Sequence, residues 1–271
     1  MAFEPHRLLA LPPRVILHTY TRRDTMLYAL GIGAAQDPDC LADLRYVYEE
    51  DLQALPTMAV VLAYPGFWQR EPEYGIDWMK LLQAEQSVEI NEPLPVEGTV
   101  RGELNIDSII DKGADKGALL YSTRRIFDQA SGRLLASVRQ VSLLRGDGGR
   151  GGSEGVPPRP HAVPDGEPAM RCSMTTRPEQ ALIYRLSGDY NPLHADPSVA
   201  REAGLLRPIL HGLCSFGIAG RGLVRLLCGD QPARLRRIDC RFTAPVLPGE
   251  RPAQRARPRP RLPHHGRPPA G

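Results

Sequence analysis

The chain lacks any CxxC pair, and its five cysteines, Cys40, Cys172, Cys214, Cys228 and Cys240, are odd in number and scattered over 271 residues. That spacing argues against a zinc site or a disulfide framework and predicts reduced thiols in a cytoplasmic protein. A long apolar run is missing from the start as well. MAFEPHRLLALPPRVILH carries an early acid and prolines, which fits neither a signal peptide nor a membrane span. Acids and lysine are absent from residues 251–271, which hold six arginines and six prolines. The formal charge of +3 therefore conceals a net charge of −3 over residues 1–250. A basic tail is the kind of footprint that nucleic acid selects. The body shares no such bias and has no face of interleaved aromatic and basic residues, so neither nucleic acid nor a membrane is an expected partner.

What is present supports a folded core. The hydrophobic share is 42%, and the length allows one large domain or two small ones. TRRDTMLYALGIGA (Thr21–Ala34) predicts a short helix with Asp24 near its start, and Leu44–Tyr48 a short strand. In LPTMAVVLAYPGFWQ (Leu55–Gln69), Pro56 suits a first turn, the apolar run suits a buried helix, and Pro65-Gly66 stops it. From Glu85 the pattern is that of strands: Ser87–Glu92, Val100–Ile110, Ala118–Phe127 and Arg133–Leu144. Gly146–Pro168 reads as a flexible Gly/Pro linker, with His161 solvated in it. Beyond it come a short helix that begins with Pro197 early and ends at Gly204, a second buried helix over His211–Leu227, and a strand within Leu235–Val246. Gly212, Gly217, Ala219, Gly220 and Gly222 on that helix would let a sheet approach closely. Each half thus reads as buried helix, strand and Pro-containing bend, a weak internal duplication. The symmetry fails after Glu250. Gly98–Arg145 supplies 48 residues to the first half, whereas only 21 residues remain in the second. Their prolines cannot donate to a ladder, so they are not expected to supply the missing strands. The expected consequences are an unpaired sheet edge, a disordered tail, poor solubility or rescue by dimerisation, and weak or absent activity.

The densest chemistry lies in YRLSGDYNPLHADPSVA (Tyr184–Ala200). Gly188, Asp189, Asn191 and Pro192 are turn formers, so the segment is a loop that can bring an acid and an imidazole, His194, to one small volume. An isolated Asp-x-Asn-Pro is more often a capped polar turn.

The whole run, from its aromatic residue through GDYNPLH to the acid and alanine, resembles the signature of the MaoC-like, R-specific enoyl-CoA hydratases of the hydratase 2 type. The resemblance covers about residues 20–250. It implies an α+β double hotdog, with antiparallel sheets each wrapped around a buried helix and the second repeat truncated. Residues 1–145 would be a degenerate repeat that contacts acyl chain and CoA, 146–168 a linker, 169–250 the catalytic repeat, and 251–271 an atypical tail. It further implies interconversion of (2E)-enoyl-CoA and (3R)-3-hydroxyacyl-CoA. Asp189 and His194 would be the acid–base pair, Asn191 their orienting residue, and the Gly212 amide the group that polarises the thioester at a helix N-terminus. Tyr190, Pro192 and Leu193 belong to the same motif as substrate contacts. Lys112, in DKGADKG, falls where relatives place a lysine near the CoA phosphates, although Lys116 competes and a solvated hairpin lysine serves equally. Phe242 matches an aromatic residue of the substrate site, or is simply core. His211 reads as a buried structural histidine. Gln83-Ala84 replaces the family's His-Gly pair. No metal or redox cofactor is implied, because the thioester itself acidifies C2, and His264-His265 makes a poor metal site. A homodimer is expected. The rivals are a dehydratase acting on another thioester, and a non-catalytic thioester-binding protein.

Overall fold

The computed structural model describes residues 2–158, 162, 165–249 and the backbone of 253–256. His161, His264 and His265 lie outside the described residues.

A short helix, α1 (Pro5–Leu9), leads into β1 (Arg14–Tyr20) and then α2 (Arg22–Gly31). Thr21 starts α2 because the Asp24 carboxylate accepts its N–H at 2.8 Å and its hydroxyl at 2.7 Å, half of a capping box. The strand expected over 44–48 is instead the end of α3 (Leu41–Leu44) and a turn. The Leu44 carbonyl accepts from both Val47 and Tyr48, at 3.0 and 2.9 Å, and that geometry is incompatible with extended chain.

The strands β2 (Leu81–Ile90), β3 (Gly98–Asp111), β4 (Ala118–Asp128) and β5 (Leu134–Leu144) fall where alternation predicted them, with β2 beginning earlier. Beyond β5 come β6 (Met170–Ser173), α4 (Gln180–Tyr184), α5 (Pro197–Glu202), α6 (Gly212–Cys228), β7 (Arg237–Arg241) and β8 (Ala253–Ala256). Antiparallel pairing joins six strands in the order β1-β3-β4-β5-β2-β7. A bulge in β3 between Ile106 and Ser108 shifts its buried phase from Val100, Gly102 and Leu104 to Ile109. The sheet's inner face and α6 share one core, in which Leu213, Phe216 and Ile218 meet Tyr28, Met58, Val88 and Val138.

Among the described residues the first half contains no counterpart of α6. The buried helix expected over 55–69 is a single 3-10 helix, Pro56–Val60, with all five residues buried. Side chains explain the stop. An α-helix would need the Ala63 N–H to reach the Ala59 carbonyl. Here Ala63 N–H donates to His18 Nδ1 at 3.0 Å, and Arg124 donates to the carbonyls of Ala59 and Val60 at 3.3 and 2.7 Å. Both ends of the helical bond are taken, and Ala63 turns left-handed at φ 47°. The small residues of α6 admit this 3-10 helix and α2 rather than a sheet. A Cβ on Gly220 would stand 2.3 Å from Thr57 Cγ2, and one on Gly217 2.5 Å from Ile32 Cγ2.

The Gly/Pro linker is ordered at its start. Gly149 and Gly151 N–H groups donate to the Asp111 carboxylate at 2.9 and 2.7 Å, and Ser153 N–H donates to the Ile109 carbonyl at 2.7 Å. A Cβ on Gly152 would sit 2.3 Å from that same carbonyl, so glycine here serves close packing against β3. The tail also departs from expectation at 253–256. These four residues lie between Pro252 and Pro258, keep their N–H groups, and pair with β6 as β8. The sheet edge formed by β7 has β2 as its one strand partner among the described residues. Among the described residues no helix is long and apolar enough to cross a membrane.

Candidate active site

The loop after α4 is built by its own turn formers. A 3-10 turn, Arg185–Ser187, ends at Gly188, whose φ of 114° suits glycine alone. Asn191 N–H donates to Asp189 Oδ1 at 3.2 Å, and Asn191 Oδ1 accepts from Leu193 N–H at 3.1 Å. Asn191 thereby caps a second 3-10 turn, Pro192–His194, with proline in its favoured first position. The result leaves Asp189 half-buried and His194 buried, at 8% exposed.

Two histidines then lock the loop onto α6. His194 Nδ1–H donates to the Ile209 carbonyl at 2.9 Å, just ahead of the helix. His211, the N-cap of α6, sends its Nε2–H back to the Asp189 carbonyl at 3.1 Å. Carbonyls only accept, so these bonds fix both tautomers and leave His194 Nε2 and His211 Nδ1 as bare lone pairs in the neutral rings. The rings stand 3.8 Å apart with 30° between their planes. Burial lowers the pKa of both against the pull of the loop's acceptors. His211, beside His194, falls to about 3, and His194 falls although the Asp189 charge opposes it. Tyr184 packs on His211 from the other side at 5.0 Å between centroids.

Side-chain ligand atoms of Asp189, His194 and His211 lie within 4.8 Å of one another, which raises the question of a metal. The two rings are nearly stacked, so their in-plane lone pairs run alongside each other and do not converge on a tetrahedral centre. The arrangement suits a proton pair better than a metal.

Gly212 opens α6 beside the loop. The first hydrogen bond of this helix runs from Ser215 N–H to the His211 carbonyl at 3.1 Å, so the amides of Gly212, Leu213 and Cys214 have no partner within it. A Cβ on Gly212 would lie 3.2 Å from Gln83 Oε1 and 3.5 Å from the Phe242 ring. The sheet thus brings Phe242 and Gln83 to the helix N-terminus. Tyr190 is 59% exposed, with Arg185 over its ring at 5.3 Å, while Pro192 is exposed and Leu193 half-buried. Lys112 and Lys116 are exposed in the turn between β3 and β4. Two strands separate β3 from β2, which puts that turn about 14 Å from the β2 strand that carries Gln83, at ~4.8 Å per strand. The sequence offered no sign of Tyr64. Its ring stands 3.8 Å from a Cβ built on Gly188, and burial together with the Asp189 charge raises its hydroxyl pKa. Gln83 was legible only as a departure from a motif.

Residues 18–146 match the model of the MFE-2 hydratase 2 N-terminal domain, and residues 160–257 match the MaoC like domain. The chain is 42% identical over 255 residues to 3-hydroxyacyl-thioester dehydratase Y of Mycobacterium tuberculosis, covering 92% of this chain and 86% of that one. It belongs to the MaoC-like hydratase 2 family. Another relative of this MaoC-like chain is the peroxisomal enoyl-CoA hydratase 2 of Arabidopsis thaliana, 37% identical, with 86% of this chain and 80% of the relative covered. Among solved structures, a MaoC-like dehydratase from Phytophthora capsici superposes with a TM-score of 0.82 at 36% identity, over 94% of this chain and 89% of that one. The fold of this MaoC-like chain is the double hotdog. Its first repeat carries a 3-10 turn in place of the long helix.

Proposed function

We propose that this MaoC-like protein is a hydro-lyase that interconverts (2E)-enoyl-CoA and (3R)-3-hydroxyacyl-CoA. The names of its relatives support the class of reaction. The observation that carries the reading is the bare Nε2 of a neutral, buried His194 held beside the Asp189 carboxylate. These two groups hold one water. As its oxygen bonds to C3, its proton passes to the Asp189–His194 pair, the C2–C3 double bond becomes a C2 enolate, and the pair returns a proton to C2. The negative charge that gathers on the thioester oxygen meets the unpaired amides at the start of α6, Gly212 first. An imidazolium formed at His194 is stabilised by the Asp189 carboxylate and meets a neutral His211.

Loss of the enoyl-thioester absorbance of crotonyl-CoA and of a longer enoyl-CoA, with chiral analysis of the product, tests the reading. No turnover with either substrate, or an (S) product, overturns it. The word thioester in the name of the M. tuberculosis relative supports a second substrate form, an acyl group on a carrier protein. Parallel assays with both carriers separate the two. A homodimer and a cytoplasmic location complete the proposal. The exposed Val15 and Leu17 on edge strand β1 support association, and light scattering measures it.

A further inference from the structure

The Gln83 side chain ends at the first turn of α6 with one polar atom unspent. A bulge in β2 gives it that aim. Gln83 pairs with Ser142 and Gln86 with Gln140, and the register shifts between Gln83 and Glu85. The extra residue, Ala84, lets two glutamines three positions apart share one face of the strand. The Ala84 carbonyl accepts Phe242 N–H at 2.9 Å, which brings the Phe242 ring to the same helix terminus.

The direction of the Gln83 amide is fixed from behind. Gln86 is 1% exposed, and its Nε2 donates to the carbonyls of Arg139 and Ser87 at 2.8 and 3.2 Å. Carbonyls only accept, so Gln86 Oε1 faces the other way and accepts from Gln83 Nε2 at 3.0 Å. Gln83 is left presenting its oxygen to α6, 3.2 Å from a Cβ built on Gly212. That Oε1 has no hydrogen-bond partner among the described residues and, on a half-buried side chain, stays open to solvent.

A thioester polarised by the Gly212 amide lies against this oxygen. An acceptor at that point needs a donor. The thioester group has none, and the water at C3 belongs to Asp189 and His194. The nearest N–H on an enoyl thioester is that of the cysteamine amide, two methylenes beyond the sulfur. We propose that Gln83 Oε1 accepts this cysteamine N–H and thereby sets the thioester carbonyl against Gly212. The inference rests on the hydratase reading. The group it reads is common to CoA and to a carrier protein, so the contact serves either substrate form.

The test uses whichever of crotonyl-CoA and the longer enoyl-CoA turns over faster. Its kcat/KM is compared with that of an analogue in which an ester oxygen replaces the cysteamine N–H. The analogue keeps the length of the arm and turns a lone pair toward Gln83. The wild type is expected to favour the natural thioester by about 10-fold or more. The ratio of the two substrates cancels any general loss of activity. Gln83→Met keeps the length of the side chain without its amide, and Gln83→Leu is a second apolar replacement. Each is expected to bring the preference to within about 2-fold, through loss on the natural thioester. Gln83→Glu retains an acceptor and should keep the preference, while its charge beside the developing enolate slows both substrates. A wild type that handles both substrates alike overturns the assignment of Gln83 alone. So does a preference, even a complete one, that persists in Gln83→Met and Gln83→Leu. No turnover of any enoyl thioester overturns the hydratase reading and this inference with it.

Discussion

At the scale of single residues, His194 and His211 look interchangeable in composition and differ in what their carbonyl partners leave free. His194 keeps a bare Nε2 next to Asp189, whereas His211 spends its Nε2–H on the Asp189 backbone. Asp189→Asn and His194→Ala are each expected to lower turnover by about 100- to 10,000-fold, with circular dichroism and melting unchanged. His211 acts through position and through neutrality. With both rings held below their ordinary pKa, the unfolded chain binds protons that the folded chain refuses once pH falls below about 6.5. Stability should therefore fall as pH drops from about 6.5, and the contribution of His211 continues to be lost down to about 3. His211→Gln retains an N–H donor for Asp189 and cannot titrate. Urea midpoints measured from pH 7 to pH 5 should show a shallower slope in this variant than in the wild type, and equal slopes would assign the acid sensitivity elsewhere.

At the scale of elements, α6 ties geometry to chemistry through its first turn. Gly212 is the first helical residue, where proline is well tolerated, and His211 at φ −58° and ψ 137° already has the backbone that precedes proline. Gly212→Pro should thus fold while deleting the amide, and is expected to lose about 100- to 1,000-fold in turnover. Gly212→Ala keeps the amide and asks only Gln83 to move, so it should remain much more active. Comparable activity in the two folded variants would place the oxyanion donor on another amide. The 3-10 helix Pro56–Val60 illustrates the opposite case, an element whose residues favoured a helix until two side chains from distant strands claimed its Ala59 and Ala63 bonds. Propensity is worth tenths of a kcal/mol per residue, and a buried Arg124 that needs acceptors outweighs it.

At the scale of the whole molecule, a buried ion pair joins the two halves. Arg221 on α6 meets Asp43 at 2.7 Å, Arg225 reaches the same carboxylate at 3.1 Å, and Ala35 N–H donates to it at 3.0 Å. Asp43→Ala leaves the Arg221 charge buried without its partner and should cost roughly 3–5 kcal/mol, read from the shift in the denaturant midpoint. Asp43 lies far in sequence from the loop at 184–200, yet α6 carries Gly212 at its other end, so the same variant should lose activity on heating before the wild type does. Backbone pairing of β6 with β8 makes a further statement about the tail. Hydrogen exchange should find slowed amides in 170–173 and 253–256 together, and fast exchange in both would return the tail to the position outside the fold that its prolines and arginines suggested.

The sequence alone determined the parts whose physics is local. Alternation marked β3, β4 and β5, and Gly, Asp, Asn and Pro marked a loop that carried Asp189, Asn191 and His194. The apolar run after His211-Gly212 marked α6. Each of these depends on contacts within a few residues: pleat, turn or helix period. The tertiary structure alone decided which ring nitrogen of His194 stays bare, that His211 braces Asp189, that residues 56–60 stop at one 3-10 turn, and that residues 146–153 pack on β3. It also decided that His18 and Ser187, 169 residues apart, line one cavity. These outcomes turn on hydrogen-bond donors and acceptors brought together from positions tens to hundreds of residues apart, and a buried polar group takes the partner that packing brings to it.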